Sequence, residues 1–138
     1  MDSPFLALKR ACTRLTKFAS AEAQARTGLY GAQAQALLVM SEYDGCKISE
    51  LARLLDLEKP AATTLVRRME KANLLCRKTH ALDARASRLE LTQQGHEALA
   101  GVKQMIATLD QRLMGGFDSK ETAVIMRFLV QASRIDRL

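Results

Sequence analysis

Apolar positions along the chain recur with two different periods, and the change of period divides it. Over residues 5–26, Phe5, Leu8, Cys12, Leu15 and Ala19 follow one another at steps of three and four, the spacing of one face of an α-helix. Residues 92–114 repeat this with Leu99, Val102, Ile106, Leu109 and Leu113, and the C-terminal segment with Ile125, Phe128, Ala132 and Ile135. Gly115-Gly116 separates the last two helices, and Asp118 or Ser119 is placed to cap the final one. Striped helices at both ends of a chain predict either an intramolecular bundle or a helical dimer interface.

Shorter elements lie between them. Residues 32–43 read as a helix ending near Asp44-Gly45, and Ser49 is a candidate cap for a short helix over 50–55. Pro60 suits the first turn of a third helix, where its missing N–H costs nothing. Ala62, Leu65, Val66 and Met69 give that helix its apolar face, and Asn73 is a left-handed stop. Beyond Asn73 the period falls to two. Residues 75–79 and 87–91 read as paired strands joined by a connection over 80–86, and Thr92-Gln-Gln-Gly95 starts the long penultimate helix. Helix, turn, helix and a two-stranded ribbon with a basic tip make a winged helix-turn-helix, so the fold class is mainly α with a small β-wing.

At 138 residues, 48% hydrophobic and 26% charged, the chain suits one soluble domain and argues against wholesale disorder. The longest apolar runs, such as 36–40 and 123–126, are only a few residues, far short of the ~20 that a membrane span needs. Lys9, Arg10 and Arg14 interrupt any secretory h-region. Three widely spaced cysteines, Cys12, Cys46 and Cys76, do not suggest a disulfide scaffold. Together these features predict a reducing, cytoplasmic setting.

Charge changes the picture through its location. Residues 59–88 hold Lys59, Arg67, Arg68, Lys71, Arg77, Lys78, Arg85 and Arg88 against Glu70 and Asp83, so this stretch carries the whole net charge of +6. A basic excess this local points to a polyanion-binding patch; a solvated helix face is the plainer alternative. Little else suggests chemistry. His80 and His96 stand outside any Cys/His cluster with metal-ligand spacing, and no Gly-rich phosphate loop or partnered nucleophile occurs. The expectation is no catalysis, no cofactor and no metal. Met40, Met69, Met105 and Met126 read as core.

Several spaced elements between residues 28 and 99 carry a resemblance. They are Gly28-Leu29 with Gln33 and Leu37-Leu38; Ile48-Ser49-Glu50-Leu51-Ala52; Leu65-Val66 with Arg68 and Glu70; Leu74-Leu75 with Arg77; Asp83 with Arg85; and Leu91-Thr92 with Gly95. In order and spacing they resemble the multiple-antibiotic-resistance regulator (MarR) family of winged helix-turn-helix transcription factors. The resemblance implies a homodimeric, sequence-specific DNA-binding regulator, a repressor released by a small ligand or oxidant that the sequence does not identify. It implies one domain over 1–138, with a DNA-binding lobe at 30–92 and dimerising helices at 1–27 and 93–138. It places the helix over 59–71 in the major groove, with Thr63, Thr64, Arg67 and Arg68 as readers and Lys59 and Ser49 on phosphates. Arg77, Lys78 and Arg85 would contact DNA from the wing, which Asp83 would orient. A two-fold dimer implies a pseudo-palindromic double-stranded operator with half-sites one turn apart.

One branch of the family senses organic hydroperoxides through a cysteine in its N-terminal helix, which makes Cys12 a redox candidate; the plainer expectation is a buried small apolar residue. Cys76 lies on a strand beside basic residues without a resolving partner. Three positions depart from the family pattern: Arg67 stands where an acid is common, Glu58 where Ser or Asp caps, and Asn73 where Gly is usual. The competing class is a winged-helix protein-interaction module or antirepressor that sets its basic face on an acidic protein. Basic side chains on both the third helix and the ribbon favour DNA.

Overall fold

Local chemistry sets the ends of the helices. A computed structural model describes the backbone of residues 2–80 and 83–136, with side chains over the same ranges except 80 and 83–86. The elements are α1 (Pro4–Thr27), α2 (Gly31–Glu42), α3 (Ile48–Leu54), α4 (Lys59–Lys71), β1 (Leu75–His80), β2 (Asp83–Leu91), α5 (Gln93–Met114) and α6 (Ser119–Ser133). Ser3 caps α1, accepting from the Leu6 N–H, and Pro4 opens its first turn. Asp118 and Glu121 form a reciprocal capping box at the start of α6, with bonds of 2.8 and 2.9 Å. Asn73 takes the left-handed conformation at φ 57°, which Asn tolerates better than most non-Gly residues.

Two expectations need correction. Ser49 lies inside α3 and does not cap it; Lys47 holds the N-cap position without a side-chain hydrogen bond. The reason is upstream. The Leu89 N–H donates to the Cys46 carbonyl at 2.9 Å, which pins the link to β2 and lets the helix begin directly after it. The ribbon also runs further than expected, with Leu75 opposite Leu91 and His80 opposite Asp83. A register shift between Lys78 and His80 breaks the alternation, so periodicity alone assigns paired backbone to the connection. Asp83 and Arg85 therefore lie on β2 and not in a loop; their side chains lie outside the described residues.

The chain divides into two units, Met1–Met105 and Ile106–Leu138. In the first, Leu37, Leu51, Val66, Met69, Leu89 and Val102 are fully buried, so α2, α3, α4, β2 and α5 share one core. Each such side chain contributes about 1.5–3 kcal/mol through burial. Gln33 is the polar exception among the described residues, and its side chain accepts from the Tyr30 N–H at 3.1 Å at the start of α2. Cys46 is also buried; loss of solvent, followed by the Glu50 charge, pushes its thiol pKa up, so it stays protonated and inert.

The terminal stripes behave differently. On α5, Leu99 and Val102 are buried, Ile106 and Leu109 half-buried, and Leu113 exposed. No residue of α6 is buried, and Ala23 alone is buried on α1. Cys12 is exposed, as is Met126 at 51%, against the expectation that both are core. A stripe reports an apolar face; it does not say that the same chain covers it.

Candidate nucleic-acid interface

The outward face of α4 follows from its inward one. Ala62, Leu65, Val66 and Met69 are buried, and at roughly 3.6 residues per turn this sets Pro60, Thr64, Arg67 and Lys71 on the opposite side. Thr63 and Arg68 flank that row. Arg67, Arg68 and Lys71 are exposed, as is Lys59 at the start of the helix. Glu58 occupies the N-cap without a side-chain hydrogen bond, so the first-turn N–H groups add positive potential to the same end. Pro60 leaves one fewer of those groups to satisfy.

Both threonine hydroxyls are committed. Thr63 Oγ1 donates to the Lys59 carbonyl at 2.9 Å and Thr64 Oγ1 to the Pro60 carbonyl at 3.0 Å. What each offers outward is an acceptor lone pair and a methyl group. Sequence reading picked these residues but not this restriction, although back-bonding to the carbonyl four residues earlier is a usual habit of helical threonine.

Three ties hold the ribbon, two to the link between α2 and α3 and one to α4. Arg88 Nη1 donates to the Gly45 carbonyl at 2.9 Å, next to the Leu89–Cys46 bond, and holds the base of β2 against the link between α2 and α3. On the other strand, Arg77 Nε donates to Glu70 Oε1 of α4. Arg77 is thus engaged within the chain, while Lys78 next to it is exposed with no such tie among the described residues. Ser49 is exposed on α3, which packs against α4. The described structure brings Thr63, Thr64, Arg67 and Arg68 onto one helix surface, with Lys59 at its head and Lys78 on the adjacent strand.

The Glu70–Arg77 pair is partly exposed, so its contribution to stability is small. Glu70→Arg combined with Arg77→Glu is expected to recover most of what either reversal loses. Urea titrations of the four-member cycle should give a coupling of about 0.2–1 kcal/mol; no coupling would mean that the pair does not form in solution.

A hollow of about 430 Å³ opens beside α4, lined by Tyr30, Gln33, Leu57, Pro60, Leu65 and Arg68 among others. Its walls are mostly apolar with a guanidinium at the edge, within the size range of small-molecule pockets.

Residues 27–86 match the model of the MarR family, a span that runs from the end of α1 into the ribbon. The chain is also 31% identical over 90 residues to the HTH-type transcriptional repressor MdtR of Bacillus subtilis, covering 62% of this chain and 58% of that protein. Over these residues the chain is similar to the MarR family. Among solved structures, the transcriptional repressor CouR bound to a 23-mer DNA duplex is 26% identical, with a TM-score of 0.84 over 96% of this chain and 94% of that one. The S. aureus MepR–DNA complex has the same fold at 17% identity, with a TM-score of 0.81 over 94% of each chain. The match to MdtR spans somewhat over half of that relative's length. Against the MarR pattern, Asn73 performs the left-handed turn usual for Gly, and Arg67 replaces an acid with a cation that no described residue neutralises.

Proposed function

We propose that this chain is a homodimeric, sequence-specific DNA-binding transcriptional regulator, a repressor released by a small ligand, that works in the cytoplasm by binding and without catalysis. The observation that carries the reading is the outer face of α4, where Arg67 and Lys71 line up beside Thr64 without ion-pair partners among the described residues. In this role Thr63, Thr64, Arg67 and Arg68 face base edges, while Lys59 and Ser49 hold phosphates. Lys78 and Arg85 serve the wing, which Asp83 orients, and Arg77 acts indirectly by fixing β1 to α4. The exposed apolar faces of α1 and α6, including Phe5, Phe18, Phe128 and Leu129, suit a second copy of the chain, and Cys12 lies on that stripe. A ligand in the hollow beside Arg68 would compete with the placement of α4 on DNA. Helices at 1–27 and 93–138 then form the dimerising part and 30–92 the reading lobe.

Binding to genomic fragments, including the chain's own promoter, tests this by fluorescence anisotropy across a salt series. The expected result is a dissociation constant of about 10⁻⁸ M or tighter on a preferred fragment. Affinity should fall with log salt at a slope of about −0.9 per phosphate neutralised. Equal, weak binding to every duplex, together with capture of an acidic protein by the basic face, would favour the protein-interaction reading.

A further inference from the structure

We propose that each operator half-site contains an A·T pair read by Thr64 and, at the next pair or the one beyond it, a G·C pair read by Arg67. This rests on the DNA-binding reading above and adds to it the base identities. The threonine part follows from the committed hydroxyl. With its proton on the Pro60 carbonyl, Thr64 Oγ1 meets the groove only as an acceptor, and its methyl is the other exposed group. In the major groove the amino groups of adenine and cytosine donate, while the thymine C5-methyl offers an apolar partner. An A·T pair supplies both a donor and a methyl. A G·C pair supplies the donor alone, and its guanine edge sets two acceptors against a third. Thr64 therefore favours A·T.

The arginine part follows from Glu70. It is the only acidic residue of α4 and sits three residues after Arg67, in reach to neutralise it. Its carboxylate is instead taken by Arg77. Among the described residues Arg67 thus keeps its full fork of donors, which matches the paired O6 and N7 acceptors of guanine. Three residues advance about 4.5 Å along a helix, whereas successive base pairs are about 3.4 Å apart. The two contacts therefore fall on neighbouring pairs or on pairs separated by one.

Selection of binding sites from a random duplex pool with the full chain, followed by base-analogue substitution, tests the assignment. Enriched half-sites should hold an A·T and a G·C pair within that spacing. Replacing the thymine by deoxyuridine, which removes only the methyl, should weaken binding about threefold to fivefold. Thr64→Val keeps the methyl and should keep that penalty, whereas Thr64→Ser should abolish it. Arg67→Ala should reduce the preference for the G·C pair about tenfold or more. Half-sites lacking the two pairs, an indifferent deoxyuridine, or an unchanged preference in Arg67→Ala would each overturn the inference while leaving a DNA-binding regulator. A pool that returns no sequence at all would overturn the regulator reading, and the inference with it.

Discussion

Gly95→Ala is expected to destabilise the chain by about 3 kcal/mol or more, at the upper end of overpacking costs, a large fraction of a typical domain's stability. Four elements meet at this residue. The Leu74 N–H donates to the Met69 carbonyl as α4 ends, the Thr92 N–H donates to the Leu74 carbonyl at 3.1 Å as β2 ends, and the Gly95 N–H donates to Thr92 Oγ1 at 3.0 Å as α5 begins. Gly95 is buried. A Cβ added there would run into the Leu74 carbonyl oxygen, with Leu91 Cβ close behind at 3.4 Å. The obstacle is backbone already fixed by the bond from Thr92, so no side-chain rotation relieves it. α5 would have to move off the ribbon, opening the core at Leu89 and Leu99. Urea denaturation of the two chains would measure the loss. A variant within 1 kcal/mol of the parent would show that α5 does not approach the Leu74 carbonyl this closely.

That junction also shows what a sequence makes legible. Thr92 and Gly95 stand out as a helix start, but nothing in their spacing says that the glycine clears the carbonyl of Leu74, 21 residues earlier in the chain. The same limit applies to Ser49. A serine before Glu50 reads as a cap, yet the helix start is set by Leu89 bonding to Cys46, a contact made across the fold. Local periodicity is sufficient for α1, α2, α4, α5 and α6, where a buried or exposed face is continuous, and residue type for the left-handed turn at Asn73. It failed over 80–86, where a ribbon with a register shift does not keep strict alternation. At the candidate interface, the family resemblance and not periodicity singled out Thr63, Thr64, Arg67 and Arg68, all of which lie on α4. Which of the basic residues were free was not legible, because Glu70 could have paired along its own helix or, as it does, across to Arg77.

Phe128→Glu is expected to convert the proposed dimer to a species with the mass of one 15.3 kDa chain and to weaken operator binding about 10²–10⁴-fold. Phe128 is 44% exposed in the single chain, beside Leu129 at 41% and Val124 at 54%, on a helix with no buried residue. Apolar exposure of that density marks an association surface. A glutamate placed there keeps its hydration only if the surface stays open, so dimerisation would have to desolvate a charge without a partner. The loss on DNA follows from geometry. Two reading helices held in one body make the second half-site contact intramolecular, an advantage of about 10²–10⁴ that a monomer forfeits. Because Phe128 packs no buried core, helix content and the urea midpoint of the Met1–Met105 unit should hold, separating this result from unfolding. Sedimentation at micromolar concentration, paired with titration of full and half operators, decides it. The parent should prefer the full operator strongly and the variant should bind both alike. A dimeric variant with parent affinity would move the interface away from α6.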